Sequence, residues 1–208
     1  GRWLLAAAVL GSGLAALDAT VINVALPAIA DDLDTDIAGL QWILNGYLLT
    51  LAAFLLLGGS LGDRFGRRRI FVIGVVWFAG SSLLCGLAPS VEVLVAARAL
   101  QGVGGAMMSP TSLSLVNATY TGRSRIVAFA IYGSIIGGMA AVGPLLGGYL
   151  TEAHSWRWAF YINVPIAIVI VIGSLMFVRE SKDEHIAAGL DVVGAVLSWQ
   201  TFGAGIGP

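Results

Sequence analysis

The sequence predicts an all-α integral membrane protein: a bundle of six helical spans followed by the start of a seventh. Three observations carry this reading. Hydrophobic residues make up 58% of the 208 residues and charged residues 11%, with a mean hydropathy of +0.89. A soluble domain carries about 25% charged residues and needs such a surface to stay dispersed. The apolar residues fall in six continuous runs, at about 3–28, 40–62, 70–88, 91–116, 126–150 and 159–178, each near the roughly 20 residues that cross a hydrocarbon core. The charge is gathered in the short stretches between them. Unbroken runs of this length also exclude the short alternating strands of a membrane barrel.

The first run follows Arg2 and is interrupted only by Asp18 and Asn23. It is too long for a cleaved leader, so it reads as a retained span. An acidic connection, Asp31–Gly39, leads to the second run, which ends in Gly59-Ser60-Leu61-Gly62-Asp63-Arg64-Phe65-Gly66-Arg67-Arg68-Arg69. Four of the eleven basic residues and one carboxylate share that glycine-rich turn. Ala88–Ser90, Asn117–Arg125 and Thr151–Trp158 separate the remaining runs. Residues 1–178 therefore read as an N-terminal six-helix transmembrane bundle, 179–190 as a cytoplasmic loop, and 191–208 as a truncated seventh span. A chain that opens on Gly1 and stops at Pro208 inside an apolar stretch reads as a piece of a longer polypeptide.

Nine Lys and Arg residues (Arg2, Arg64, Arg67, Arg68, Arg69, Arg123, Arg125, Arg179 and Lys182) fall on one side of the spans, and only Arg157 falls in a connection on the other. The excess of Lys and Arg marks the cytoplasmic side, so the N-terminus is expected there and the acidic loop outside. Trp42, Tyr149, Trp156, Trp158 and Tyr161 gather near external ends, as an interfacial aromatic belt would. Leu56-Leu57-Gly58-Gly59-Ser60-Leu61 and Leu145-Leu146-Gly147-Gly148-Tyr149-Leu150 recur at equivalent points of two three-span units of opposite orientation. That pattern fits a 3+3 inverted repeat, a feature of transporter halves.

Two spans carry an ionisable residue. Helix rise places Asp18 about 15 Å and Arg98 about 10 Å from the external ends of their runs, both in the outer half. A charge near the bilayer centre costs about 2.5–3.5 kcal/mol on insertion scales, so such residues face the interior and pair. A salt bridge locking two helices and a carboxylate whose protonation a movable arginine governs both fit this pattern. Arg98, Gln101, Gly102, Gly105, Ser109 and Ser112 form a polar, small-residue stripe on span four, and Gly11, Ala15, Asp18, Ile22 and Ala25 form one on span one. Span five carries Gly133, Gly137, Gly138, Gly143, Pro144, Gly147 and Gly148, where the proline is expected to kink the helix. Cys85, the only cysteine, permits no intrachain disulfide and reads as a small hydrophobe.

Enzyme chemistry has no foothold. HExxH, GxSxG and Walker motifs are absent from the sequence, and His154 and His185 lie in opposite connections. No catalytic residue, metal site or cofactor is expected. A net charge of −1 offers no general attraction to nucleic acid.

Five segments in order resemble motifs of the major facilitator superfamily, most closely its fourteen-span drug:proton antiporter branch. Leu17-Asp18-Ala19-Thr20-Val21-Ile22-Asn23-Val24-Ala25-Leu26-Pro27 is similar to that branch's first-span motif. Gly59-x-Leu61-Gly62-Asp63-Arg64-x-Gly66-Arg67-Arg68 resembles the superfamily's loop between spans two and three. Leu94-x-x-x-Arg98-x-x-Gln101-Gly102-x-Gly104 resembles the span-four motif associated with proton coupling. Gly143-Pro144-Leu145-Leu146-Gly147-Gly148 resembles the antiporter motif, and Trp156-Arg157-Trp158-Ala159-Phe160-Tyr161-Ile162-Asn163-Val164-Pro165 the start of the sixth span. The short 179–190 connection favours fourteen spans over twelve.

The resemblance implies the N-terminal half of a secondary transporter in the cell membrane, with the C-terminal half of the same polypeptide, a small-molecule substrate and the lipid bilayer as partners. It further implies proton-coupled efflux of small hydrophobic or cationic compounds by alternating access, with the proton as the coupling ion. Asp18 and Arg98 would carry coupling, and Asn23, Gln101 and Ser109 would line the pathway. Gly59, Gly62, Asp63, Arg64, Gly66, Arg67 and Arg68 would form a cytoplasmic gate, whose partner surface is expected in the other half. Gly143, Pro144, Gly147 and Gly148 would shape the fifth helix. Met139 stands where the antiporter pattern has its upstream glycine, which keeps an uptake or facilitated-diffusion carrier in view. A non-transporting scaffold of the same architecture is a further alternative.

Overall fold

The computed structural model describes residues 2–178 and Glu180. Seven helical segments follow one another: α1 (Arg2–Asp32), α2 (Ile37–Phe65), α3 (Arg67–Gly86), α4 (Val91–Thr119), α5 (Gly122–Ala153), α6 (Trp158–Tyr161) and α7 (Asn163–Phe177). The last two form one span, because Ile162 between them keeps helical dihedrals (φ −60°, ψ −27°) and its N–H donates to the Trp158 carbonyl at 3.1 Å. Among the described residues, six helical stretches are thus long and apolar enough to cross a membrane. Apart from Glu180, the expected 179–190 loop and seventh span lie outside the described residues.

Two expectations drawn from the apolar runs need correction. The helices extend beyond the runs, since a helix satisfies its own backbone hydrogen bonds whatever side chains it carries and long basic side chains reach outward from its ends. The connection expected over Asp63–Arg69 contracts to Gly66 alone, whose φ of 112° and ψ of 125° turn the chain between α2 and α3. Similarly, α1 continues to Asp32. Asp18 therefore lies close to the middle of its helix, deeper than the apolar run implied.

α1 and α4 meet at the centre of the bundle. α2 packs chiefly on α4, α5 chiefly on α1, and α3 lies against α4 and α7. The second helix of each triplet thus rests on the first helix of the other, so the two triplets pack alike. α2 and α5 are the least buried spans, and apolar side chains such as Leu56 (85% exposed) and Leu145 (76%) stand outward from them.

Small residues set the close approaches, as expected where helices pack without a hydrophobic driving force. A Cβ at Gly58 would fall on the Ala106 carbonyl, and one at Gly104 would come within 2.7 Å of the Phe78 backbone nitrogen. Gly143 and Gly147 bring α5 against Thr20 and Val21 of α1, whereas Gly133, Gly137, Gly138 and Gly148 face open space. α5 runs unbroken through Pro144.

The aromatic belt holds in part. Trp42, Tyr149 and Trp158 are exposed, but Trp156 is buried and donates its indole N–H to Asp32 at 2.9 Å. Arg157 pairs with the same carboxylate at 2.7 Å, tying the end of α1 to the start of the last span.

Candidate functional site

Between the middle of the bundle and the end that carries the acidic connection, α1, α3, α4 and α7 bring three polar side chains and one ion pair into a space that is otherwise apolar. Asp18 and Arg98 are both about 1% exposed at the side chain. Arg98 Nη1 donates to Asp18 Oδ2 at 2.6 Å and to Gln101 Oε1 at 2.7 Å. Asp18 Oδ1 accepts from Gln101 Nε2 at 2.9 Å and from Asn163 Nδ2 at 2.7 Å. Asn163 Nδ2 also donates to Ser82 Oγ at 2.9 Å, and Ser82 donates in turn to the Phe160 carbonyl. The Arg98 guanidinium lies over the Tyr47 ring, 4.4 Å from its centroid, with the Phe160 ring at 5.9 Å.

Local sequence explains each contribution. Arg98 and Gln101 are three residues apart on α4 and so share a face. Asp18 projects from the midpoint of α1, and Asn163 is the first residue of α7. Desolvating two ions is expensive, and their mutual attraction offsets that cost only when further hydrogen bonds satisfy the remaining groups. Here the carboxylate receives three donors. Arg98 Nε and Asn163 Oδ1, by contrast, are buried without a partner among the described residues. A buried ion pair with spare hydrogen-bonding capacity can rearrange when its charge changes.

The span-four stripe divides between neighbours. Arg98 and Gln101 turn to α1, whereas Gly102 and Gly105 lie against Tyr47 and Leu51 of α2. Asn23 is not brought to the cluster: it is exposed, and its amide donates to the Ala19 carbonyl of its own helix at 2.6 Å. Ser109 is half-buried nearer the basic-loop end, where its carbonyl accepts from Ser112. There Ser12, Ser112 and Tyr132 form a second polar group joining α1, α4 and α5, with oxygen separations of 2.5, 2.6 and 2.9 Å. Cys85 is buried as expected, and its thiol lies 3.6 Å from Gln101 Oε1. Asn163 and Ser82 carried no assigned role in the sequence reading. A lone amide opening a long apolar run was the available signal.

At the basic-loop end, Asp63 accepts from Arg67 Nε at 2.8 Å and pairs with Nη2 at 2.7 Å, one helical turn apart across Gly66. Arg64 stacks over Phe65 at 5.4 Å. Gly62 packs on Thr111 and Gly59 on Pro110, holding the motif to α4. The Glu180 carboxylate accepts from the backbone N–H groups of Arg68 (3.0 Å) and Arg69 (3.2 Å), and Arg68 Nη1 donates to the Val178 carbonyl at 2.9 Å. An anion at a helix N-terminus is favourable because the unsatisfied N–H groups point toward it. Within the described residues, the basic end of the motif is thus capped by a carboxylate that follows the sixth span.

A six-span bundle with inverted repeats, a buried carboxylate–arginine pair at its centre and a basic glycine turn at one end define a membrane transporter half. The chain belongs to the Major Facilitator Superfamily, whose model matches residues 8–207; this is a family of transporters rather than enzymes. Among curated relatives, it is 42% identical to the puromycin resistance protein of Streptomyces alboniger, over 94% of this chain and 39% of that protein. It is 41% identical to the tetracenomycin C resistance and export protein of Streptomyces glaucescens, over 93% of this chain and 36% of that one. Against a multidrug efflux pump of Mycolicibacterium smegmatis it is 44% identical, over 90% of this chain and 37% of the pump. The chain thus spans well under half the length of these relatives. The crystal structure of a peptide transporter in complex with sulfate superposes with a TM-score of 0.73 at 17% identity, over 98% of this chain and 43% of that one, a likeness of fold.

Proposed function

We propose that the intact polypeptide is a secondary active transporter of the cell membrane that exports small hydrophobic or cationic compounds against inward proton flow. The observation that carries this reading is the Asp18 carboxylate, held in the apolar centre by Arg98, Gln101 and Asn163. A proton arriving at Asp18 removes the charge that Arg98 neutralises, and the freed guanidinium then favours a different arrangement of α1 and α4. Coupling requires such a two-state element biased by the ligand. The export named in relatives at 41% and 44% identity supports the direction. The basic loops, and with them the N-terminus, lie in the cytoplasm by the nine-to-one distribution of Lys and Arg. There Asp63, Arg67 and Glu180 form contacts that exist in one state and break in the other.

Asp18→Asn in the intact protein, reconstituted in proteoliposomes under an imposed pH gradient, is expected to abolish gradient-driven export. Unchanged export would overturn the coupling role. An uptake carrier is the competing reading, because Met139 stands at the antiporter pattern's upstream glycine and its side chain lies against Gly13 of α1. Substrate counterflow with and without the gradient separates exchange from symport or uniport.

A further inference from the structure

Away from the central cluster, a groove of about 370 Å³ lies at the basic-loop end, between the start of α3 and the end of α7. Its lining divides by chemistry. Arg68 and Arg69 stand at the mouth, and Val72, Ile73 and Leu175 form apolar walls. Four residues separate Arg68 from Val72 and Arg69 from Ile73, so the walls begin about 6 Å deeper along the helix. Ile73 and Leu175 are exposed, as side chains that meet acyl chains are. Arg68 Nη1 donates to the Val178 carbonyl at 2.9 Å, which orders that guanidinium beside the last turn of α7. There Trp3 of α1, itself exposed, stacks on Phe177 with ring centroids 4.9 Å apart. A Trp exposed at a span end marks the headgroup level, which sets the two arginines at phosphate depth and the apolar walls within the hydrocarbon. Positive charge is in excess at the mouth. The turn supplies Arg64, Arg67, Arg68 and Arg69, while its nearby carboxylates are Asp63, taken by Arg67 at 2.7 Å, and Glu180. Glu180 turns its oxygens to the Arg68 and Arg69 backbone N–H groups and lies 4.0 Å from Arg68 Nε. The Arg69 side chain is exposed.

We infer that this groove binds an anionic phospholipid from the leaflet that meets the basic loops. The lipid phosphate pairs with the Arg68 and Arg69 guanidinium groups, and the first part of an acyl chain lies along Val72, Ile73 and Leu175. Arginine suits this task because its planar fork offers paired donors to phosphate oxygens. The Glu180 carboxylate does not cancel the site, since its charge is directed at the N-terminus of α3. An anionic headgroup balances the surplus of arginine, whereas a zwitterionic one brings its own cation into a mouth that is already positive. Basic pockets between spans select anionic headgroups on this ground. Bound there, the lipid spans the α2–α3 turn and the end of the last helix. The inference does not depend on the direction of transport or on the protonation of Asp18.

The test is native mass spectrometry of the purified intact transporter, delipidated and then titrated with phosphatidylglycerol or with phosphatidylcholine of the same chains. Phosphatidylglycerol is expected to bind at lower concentration, with an advantage that shrinks as ionic strength rises. A basic side chain near the surface contributes about fivefold in affinity for an anionic lipid. Arg69→Gln should therefore weaken phosphatidylglycerol about fivefold, and Arg68→Gln/Arg69→Gln roughly 25-fold, with phosphatidylcholine unchanged. Arg125→Gln, which removes a cation from another loop at the same end, should leave the preference intact. Should the double variant fail to fold, Arg69→Gln decides, because its side chain is exposed. Glycerol phosphate, a headgroup without chains, should not displace the lipid; displacement would mark a site for soluble anions and overturn the lipid assignment. Equal retention of the two lipids overturns the inference, as does an undiminished preference in Arg69→Gln. Absence of any retained lipid, as when the remainder of the polypeptide fills the groove, overturns it too.

Discussion

Removing one charge from the central pair should cost far more than removing both. Asp18 and Arg98 are each about 1% exposed at the side chain and meet at 2.6 Å, so neither can fall back on water when its partner is neutralised. In Asp18→Asn the guanidinium keeps the Gln101 oxygen and the Tyr47 and Phe160 rings but no counter-ion, an uncompensated buried cation. The expected loss is about 3–5 kcal/mol. Arg98→Gln should cost less, because a stranded carboxylate can take up a proton whereas a guanidinium cannot release one. In the double variant Asp18→Asn/Arg98→Gln no ion remains, and neutral replacement of a buried pair is often nearly free. The coupling energy of the cycle should therefore reach about 2 kcal/mol or more. Denaturation of the purified intact transporter in lipid–detergent micelles, followed by tryptophan fluorescence, measures all four corners. Single effects that add to the double within about 0.5 kcal/mol would refute the mutual, desolvated pairing on which the site rests.

Other outcomes follow from the same packing. Gly104→Ala places a methyl within 2.7 Å of the Phe78 backbone, and overpacking of this kind should cost about 1–3 kcal/mol. Gly80→Ala, which meets nothing within 4 Å, should change stability by no more than about 0.5 kcal/mol in the same unfolding assay. Gly66→Ala should be destabilising on two grounds, its φ of 112° and the Glu180 carboxylate that occupies the Cβ position. Glu180→Gln keeps one of the two N–H bonds and loses the other, because an amide nitrogen cannot accept, and it weakens the charge–dipole attraction by about 0.3–1 kcal/mol. Cysteine labelling near Gly66 at low salt should report easier opening of that turn than in the parent, a difference that raised salt diminishes.

The spans were legible because lipid imposes a one-dimensional rule: each must hold enough consecutive apolar residues. The ends were less legible. Asp31, Asp32 and Arg64 looked like connection by composition but continue their helices, since a backbone leaving the bilayer loses nothing by staying hydrogen-bonded. The pairing of Asp18 with Arg98 was anticipated from the cost of leaving either alone. Asn163 was not, because its amide bears no charge and its significance depends on which helix end meets α1. Asn23, equally polar and on the same helix as Asp18, turned outward and bonded to its own backbone. Periodicity alone could not separate the two asparagines.

Hydropathy, charge asymmetry and motif order are properties of the chain read in line, and they suffice for class, for the six described spans and for family. Which helix lies on which is another matter, and so is which carboxylate meets which donor. Only packing decides that Asp18 has three donors, that Glu180 rather than a more distant segment caps α3, and that α2 rests on α4 while α5 rests on α1. The physical reason is range. The bilayer acts on each segment separately, whereas a hydrogen bond near 2.7 Å depends on atoms that the chain brings together across as many as 145 residues.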